Sequence, residues 1–370
     1  MPKITDFDKN FKSDVIKADD VVFYNCKEEP FEIRGLFEPK KSERFSRLPE
    51  YFANSAEVND GVRYLMYNTA GARVRFVTNS PFIAIVADVG YKPQMQHMPG
   101  TCEFGFDMYV ATENDRTNTI YKKTFVPNGL SEENHKFEGF YEFDDSVFRE
   151  ITINFPLYEG VNSLYIGLKE NSQVKSPAPY TIDTPVVYYG SSITQGGCAS
   201  RPGTVYTALC SRWLDSDHIN LGFSGSDLGE KQIAEFIAEI PMSAFVYAYG
   251  ANAPTLEHFE NTYYPFYKII RDKNPDLPII FMSTPVSINI KNEKIRKSRT
   301  ARRAVVMKTY LRAMDEGDEN VYFIDGFTTL GNSESEDATV DGGHPTDLGF
   351  YNMAKSVYPV LKGILKNRKS

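Results

Sequence analysis

The feature that most constrains this chain is a change of hydrophobic period near residue 180. Up to about residue 170, short alternating segments follow one another across turn signals: "ARVRFVTNS" (Ala72–Ser80), "PFIAIVADV", "CEFGFDMYVAT", "NTIYKKTFV", "REITINF" and "NSLYIGLK". No long amphipathic helix interrupts them, and many short strands at such spacing predict an all-β sandwich of jelly-roll type. Beyond residue 180 the pattern becomes apolar runs, "PVVYYG", "SAFVYAYG", "LPIIFMS", "VYFIDG" and a weaker "HINLGF", separated by segments of helical period such as "GEKQIAEFIAEI". Near-continuous apolar strands alternating with helices predict a parallel sheet covered on both faces. The polar stretch from Lys169 to Pro185, with Pro177 and Pro179, reads as a linker or tethered crossing segment. A boundary near Thr181 divides the chain into a β domain, 1–180, and an α/β domain, 181–370.

The totals narrow the class of partner. With 41% hydrophobic and 24% charged residues the chain is of ordinary globular composition. A net charge of -8 argues against DNA or another polyanion as main partner. The basic run from Lys291 to Arg312 is an exception, but Ala304, Val305, Lys308 and Leu311 recur at helical intervals, so it reads as a solvated helix face. The 23 Tyr and 26 Phe favour strands and aromatic-lined surfaces. Cys26, Cys102, Cys198 and Cys210 form no C-x-x-C, which fits neither a zinc site nor a disulfide framework. The N-terminus alternates charges and lacks the apolar core of a signal peptide. No segment approaches the ~18 consecutive apolar residues of a membrane span. The expectation is a cytoplasmic protein with reduced thiols and no membrane partner.

Ligands of an open parallel sheet bind beyond the carboxyl ends of its strands. Four loops fall there: "GSSITQGG", "GFSGSDLGE", "GANAP" and "DGGHPTDLG". Acyl transfer to a serine needs a hydroxyl, a base, a group that orients the base, and donors for the oxyanion. The last loop supplies Asp341 and His344, with Pro345 and Thr346 suited to begin a helix. An isolated D-x-x-H is equally compatible with a capping loop, but His97, His135, His218 and His258 sit in poorer surroundings for a base. Gly225, read as the start of a helical pattern with outward-pointing amides, and Asn252, an amide at the end of an apolar strand, are candidate oxyanion donors.

The ordered set of loops resembles the four blocks of the SGNH/GDSL hydrolases, serine esterases and lipases with a flavodoxin-like α/β/α domain. The resemblance runs from about Val186 to the C-terminus. It implies Ser192 as nucleophile, Asp341 and His344 as the rest of the triad, and Ser192, Gly225 and Asn252 as oxyanion hole. The family's Gly-Asp-Ser is here Gly190, Ser191, Ser192, and the pattern G-x-S-I-T-x-G selects Ser192. The usual Asn-Asp of the third block is Asn252 followed by Ala253, which leaves local hydrogen bonding open. "GFDMY" (Gly105–Tyr109) is similar to the G-x-D-[LM]-Y signature of the N-terminal domain in one two-domain branch. In that domain Asp107 and Tyr109 are candidate sugar contacts. The resemblance implies an O-acyl esterase working through an acyl-enzyme, a carbohydrate deacetylase by analogy with two-domain members, with an oligosaccharide or small ester as substrate. The chemistry requires no metal or organic cofactor. Alternatives are a lipase or thioesterase, an acyltransferase, or a carbohydrate-binding protein with an inactive hydrolase domain.

Overall fold

The structure is a computed structural model that describes residues 15–90, 94–112, 115–128, 130–131, 135–286, 292–331 and 336–367. Most of the N-terminal stretch read above for a leader, residues 1–14, lies outside the described residues, as does Lys291 at the head of the basic run. Two compact units are present: Met1–Leu48, Tyr67–Pro179 and Arg201–Gly203 form one, and Pro49–Met66, Tyr180–Ser200 and Thr204–Ser370 the other. The segment 49–66 therefore belongs to the second unit although it precedes Thr181 in sequence.

The first unit is a β-sandwich. Its strands are β1 (Val21–Asn25), β2 (Glu32–Arg34), β3 (Arg73–Thr78), β4 (Phe82–Val89), β5 (Phe106–Thr112), β6 (Asp115–Phe125), β7 (Lys136–Glu142), β8 (Arg149–Asn154), β9 (Val161–Lys169) and β10 (Val174–Lys175). One sheet runs β1-β9-β4-β7 and the other β10-β3-β8-β5-β6, with β2 on β3, and every pairing is antiparallel. Ile83, Ile85, Leu164 and Ile166 from one sheet meet Val74, Phe76, Phe106, Met108, Ile151 and Ile153 from the other in one core. Each such side chain, buried, contributes about 1.5–3 kcal/mol before the entropy of ordering is set against it.

The alternation in β3 has an unexpected outer face. Val74 and Phe76 point inward, but Arg73 and Arg75 are also buried. Arg75 is neutralised by Glu32 at 2.7 Å and Glu150 at 2.8 Å, and donates to the Ala178 carbonyl at 2.9 Å. Arg116 reaches the Pro179 carbonyl at 2.7 Å. The proline-bearing segment is thus tethered to the sandwich, not a free linker.

The second unit carries β11 (Ile182–Gly190), β12 (Ser216–Gly222), β13 (Ala244–Ala248), β14 (Ile279–Met282) and β15 (Val321–Ile324). They are parallel in the order β12-β11-β13-β14-β15. This is the 2-1-3-4-5 order of a flavodoxin-like doubly wound sheet, in which the order reverses at the first strand. Helices Tyr206–Leu214, Lys231–Glu239, Leu256–Lys273, Glu293–Asp315 and Asp347–Asn367 alternate with or follow the strands. All of β13 is buried, as the continuous apolar run requires.

The aromatic surplus is prominent here. Tyr247 stacks on Tyr263 at 4.4 Å and on Phe266 at 5.0 Å, and Tyr189 on Phe266 at 4.8 Å, packing the sheet against Leu256–Lys273. In the basic helix the covered stripe is Val305, Val306, Thr309 and Ala313, rotated about one position from the predicted one, and Leu311 is exposed. The rest of that helix is a mostly solvated face, as expected. All four cysteines are buried and outside any disulfide. Among the described residues no helix is long and apolar enough to cross a membrane.

Candidate active site

The chain leaves β11 at Gly190 and turns at once into a short helix, Ser192–Gln195. The two adjacent serines divide the work. Ser191 Oγ caps that helix by accepting the Ile193 N–H at 3.3 Å, whereas Ser192 Oγ lies 2.9 Å from His344 Nε2. Two glycines make this close turn possible. A Cβ on Gly190 would stand 2.5 Å from Thr194 Oγ1, and one on Gly222 would stand 2.1 Å from the Gln195 backbone nitrogen. The end of β12 therefore presses directly on the helix that presents Ser192. Asn220 locks the contact by donating to the Thr194 carbonyl at 2.6 Å and accepting the Gly222 N–H at 2.9 Å, and Gln195 Oε1 accepts the Ser224 N–H at 2.9 Å.

His344 sits on a loop pinched by a bridge between Thr339 and Pro345. Asp341 closes the loop on itself, accepting the His344 N–H at 2.8 Å and the Gly343 N–H at 2.9 Å through one oxygen, while Gly342 turns the chain at φ +83°. Its other oxygen lies 2.7 Å from His344 Nδ1. Partial burial pushes the Asp341 carboxyl up, but the hydrogen bonds from the His344 and Gly343 amides and from the His344 ring outweigh it and bring the value down to about 2. A carboxylate can only accept, so Nδ1 carries the proton and Nε2 offers its lone pair to the Ser192 hydroxyl. Asp347, at the start of the last helix, accepts the Ser200 N–H and the Thr204 hydroxyl, both at 2.8 Å, which holds the chain that follows Ser192 beside the His344 loop.

The two further expected donors lie on the loops after β12 and β13, on either side of β11. Gly225 is exposed at φ +70° in a turn closed by Ser226 N–H to Phe223 O at 3.0 Å. The helix begins only at Lys231, so Gly225 is a turn residue and not a helix N-terminus. Asn252 is half-buried, and its Nδ2 donates to Asp227 Oδ1. The backbone around it is clamped by Arg302, whose guanidinium donates at 2.8 Å to both Gly250 O and Ala253 O. The Tyr249 hydroxyl donates to Leu228 O at 2.8 Å and the Tyr189 hydroxyl accepts the Gly229 N–H at 3.2 Å, so the aromatic layer anchors the loop that bears Asp227. Asp227 and Arg302 escaped the sequence reading. The one available signal for Asp227 was an acid inside a glycine- and serine-rich loop at a strand end.

Asp107 and Tyr109 are placed differently from the expected sugar contacts. Asp107 is fully buried, with Oδ1 accepting from Asn154 Nδ2 and Oδ2 from the Gly203 N–H, each at 2.8 Å, and Arg201 Nε at 3.5 Å. Tyr109 is buried, and a Cβ on Gly203 would lie 2.4 Å from its ring. These residues hold the Arg201–Gly203 loop, because an alternating strand turns both side chains to the covered face. Of the other histidines, His218 is buried in β12, His258 contacts Leu228 O at 2.7 Å, His135 pairs with Asp88 at 3.0 Å, and His97 is exposed.

A doubly wound sheet whose strand-end loops set a serine and an aspartate on the two nitrogens of one histidine defines a class, the serine-dependent hydrolases of esters. Residues 183–362 match the GDSL-like Lipase/Acylhydrolase family, and residues 21–174 match the N-terminus of Esterase_SGNH_hydro-type proteins, the GxDLY domain. The chain belongs to the SGNH/GDSL hydrolase superfamily, in the branch with a GxDLY-type N-terminal domain, and is a carboxylic ester hydrolase. Its structure is similar to that of a protein described as a GDSL-like lipase from Bacteroides ovatus, 29% identical, with 94% of this chain and 98% of that one covered at a TM-score of 0.83. A salicylyl-acyltransferase from a tetracycline biosynthetic pathway shares the fold at 19% identity, 94% and 99% coverage and a TM-score of 0.76. A family two carbohydrate esterase from Cellvibrio japonicus does so at 13% identity, 94% and 98% coverage and a TM-score of 0.60. No curated protein sequence matches the chain significantly.

Proposed function

We propose that the protein is a carbohydrate O-acetyl esterase in which Ser192 is the nucleophile, His344 the general base and Asp341 the group that orients it. The observation that carries the reading is the continuous hydrogen-bonded line from Ser192 Oγ to His344 Nε2 at 2.9 Å and from His344 Nδ1 to Asp341 at 2.7 Å. In the cycle, His344 takes the Ser192 proton as Oγ attacks the ester carbonyl. The oxyanion is met by the N–H groups of Ser192 and Gly225 and by the Asn252 amide. His344 then protonates the departing alcohol, and water, activated by the same base, releases acetate from the acyl-enzyme. An amide nitrogen has two hydrogens, so the bond from Asn252 to Asp227 leaves one for the oxyanion.

The carbohydrate part is supported by the likeness in fold, over both domains, to a carbohydrate esterase. It is tested by acetate release from acetylated oligosaccharides, compared with hydrolysis of p-nitrophenyl esters from acetyl to octanoyl. Turnover of the acetylated oligosaccharide with a fall in kcat/KM beyond the shortest acyl chains is expected. Preference for octanoyl esters and no acetate from the sugar would replace this reading with a lipase.

A further inference from the structure

We propose that Asp227 is a positioning residue for the reaction, holding the Asn252 amide so that its nitrogen, not its oxygen, serves the oxyanion. This rests on the reading of Asn252 as an oxyanion donor. Strand order shows why such a device is needed. Asp227 lies five residues past the end of β12 and Asn252 four past the end of β13, and β11 runs between those strands. At about 4.8 Å per strand the two loops start about 10 Å apart. The bond from Asn252 Nδ2 to Asp227 Oδ1 therefore joins the loops across the end of the strand that leads to Ser192.

Arg302 already fixes the main chain on both sides of Asn252 through Gly250 O and Ala253 O. What stays open is the side chain, because the terminal torsion of Asn is broad and its amide can turn over. The wrong orientation would set Oδ1 against the developing negative charge. An acceptor at Asp227 selects the nitrogen. Asp227 is fully buried, and burial pushes its carboxyl well above the ordinary carboxylate range, with Glu230 nearby acting in the same direction and the bond from Asn252 opposing it.

The role is read from p-nitrophenyl acetate hydrolysis by wild type, Asn252→Ala, Asp227→Leu, Asp227→Ser, Asp227→Asn and the double variant Asp227→Leu/Asn252→Ala, all with cooperative thermal unfolding. Loss of a whole oxyanion donor costs on the order of 10²–10³ in kcat, so a donor left unoriented should cost roughly 10–100-fold. Asp227→Leu and Asp227→Ser should lose that much in kcat with KM nearly unchanged. Asp227→Asn, which keeps a carbonyl acceptor at the same position, should restore most of it, and the double variant should be no slower than Asn252→Ala. Wild-type kcat in both Asp227→Leu and Asp227→Ser, additive losses in the double variant, or Asp227→Asn as slow as Asp227→Leu would overturn the proposal. Wild-type kcat in Asn252→Ala would instead overturn the oxyanion role of Asn252 itself, a result read without touching Asp227.

Discussion

Replacing Gly222 by Ala tests how tightly the position of Ser192 is set. The added methyl would stand 2.1 Å from the Gln195 nitrogen and 2.7 Å from both Gln195 Cα and the Thr194 carbonyl carbon, so every near neighbour is backbone. Ordinary contact begins at 3.4 Å, so something must move by about 1.3 Å. β12 is hydrogen-bonded along the sheet beside β11, whereas the helix Ser192–Gln195 is only one turn long, so the helix yields. Overpacking of this kind costs about 1–3 kcal/mol of stability. The larger effect falls on catalysis, because a displacement of about 1 Å in a reacting group can cost about 10²-fold in rate. Gly222→Ala should therefore unfold cooperatively a few degrees below wild type and hydrolyse p-nitrophenyl acetate with kcat lower by about two orders of magnitude. Gly363→Ala, where an added Cβ meets open space in the last helix, is the control and should be fully active and more stable by about 0.5–1 kcal/mol. A folded Gly222→Ala protein with wild-type kcat would refute the claim that the end of β12 positions Ser192.

Other outcomes follow from the same geometry. Ser192→Ala should abolish turnover and Ser191→Ala should retain much of it while losing a helix cap worth about 1 kcal/mol; the reverse pattern in kcat would assign the nucleophile to Ser191. Asp341 has its carboxyl at about 2, below the ~3.9 of an unfolded aspartate, so its stabilising contribution is fully present above about pH 4 and lost as pH falls through about 2. The melting temperatures of wild type and Asp341→Asn should accordingly differ at pH 7 and converge toward pH 2. Arg302→Leu frees the Gly250 and Ala253 carbonyls and should lower kcat more than it raises KM, measured on the same ester. Asp107→Ala should act through stability, by about 1–3 kcal/mol in denaturant unfolding, since it strands Asn154 and the Gly203 N–H.

Much of this molecule was legible in local sequence. Period-2 strands before residue 170 and apolar runs alternating with helices after residue 180 specify a β-sandwich and a doubly wound sheet, because burial on one or both faces imposes those periods on neighbouring residues. The four strand-end loops could be named as the place where chemistry gathers, because an open parallel sheet leaves only its carboxyl ends for a ligand. Partnership between distant side chains was not legible. That Ser191 caps a helix while Ser192 faces His344, that Gly225 lies on a turn six residues before its helix, and that Asp107 is covered by Gly203 and Arg201 all depend on which groups the folded chain brings within 3 Å or so. The pairing of Asp227 with Asn252 is the extreme case. They stand 25 positions apart with a helix and a strand between them, and only the 2-1-3-4-5 order, which sets β12 and β13 on the two sides of β11, brings the acid and the amide together. Strand order is a property of how whole layers pack, and no periodicity within a single segment encodes it.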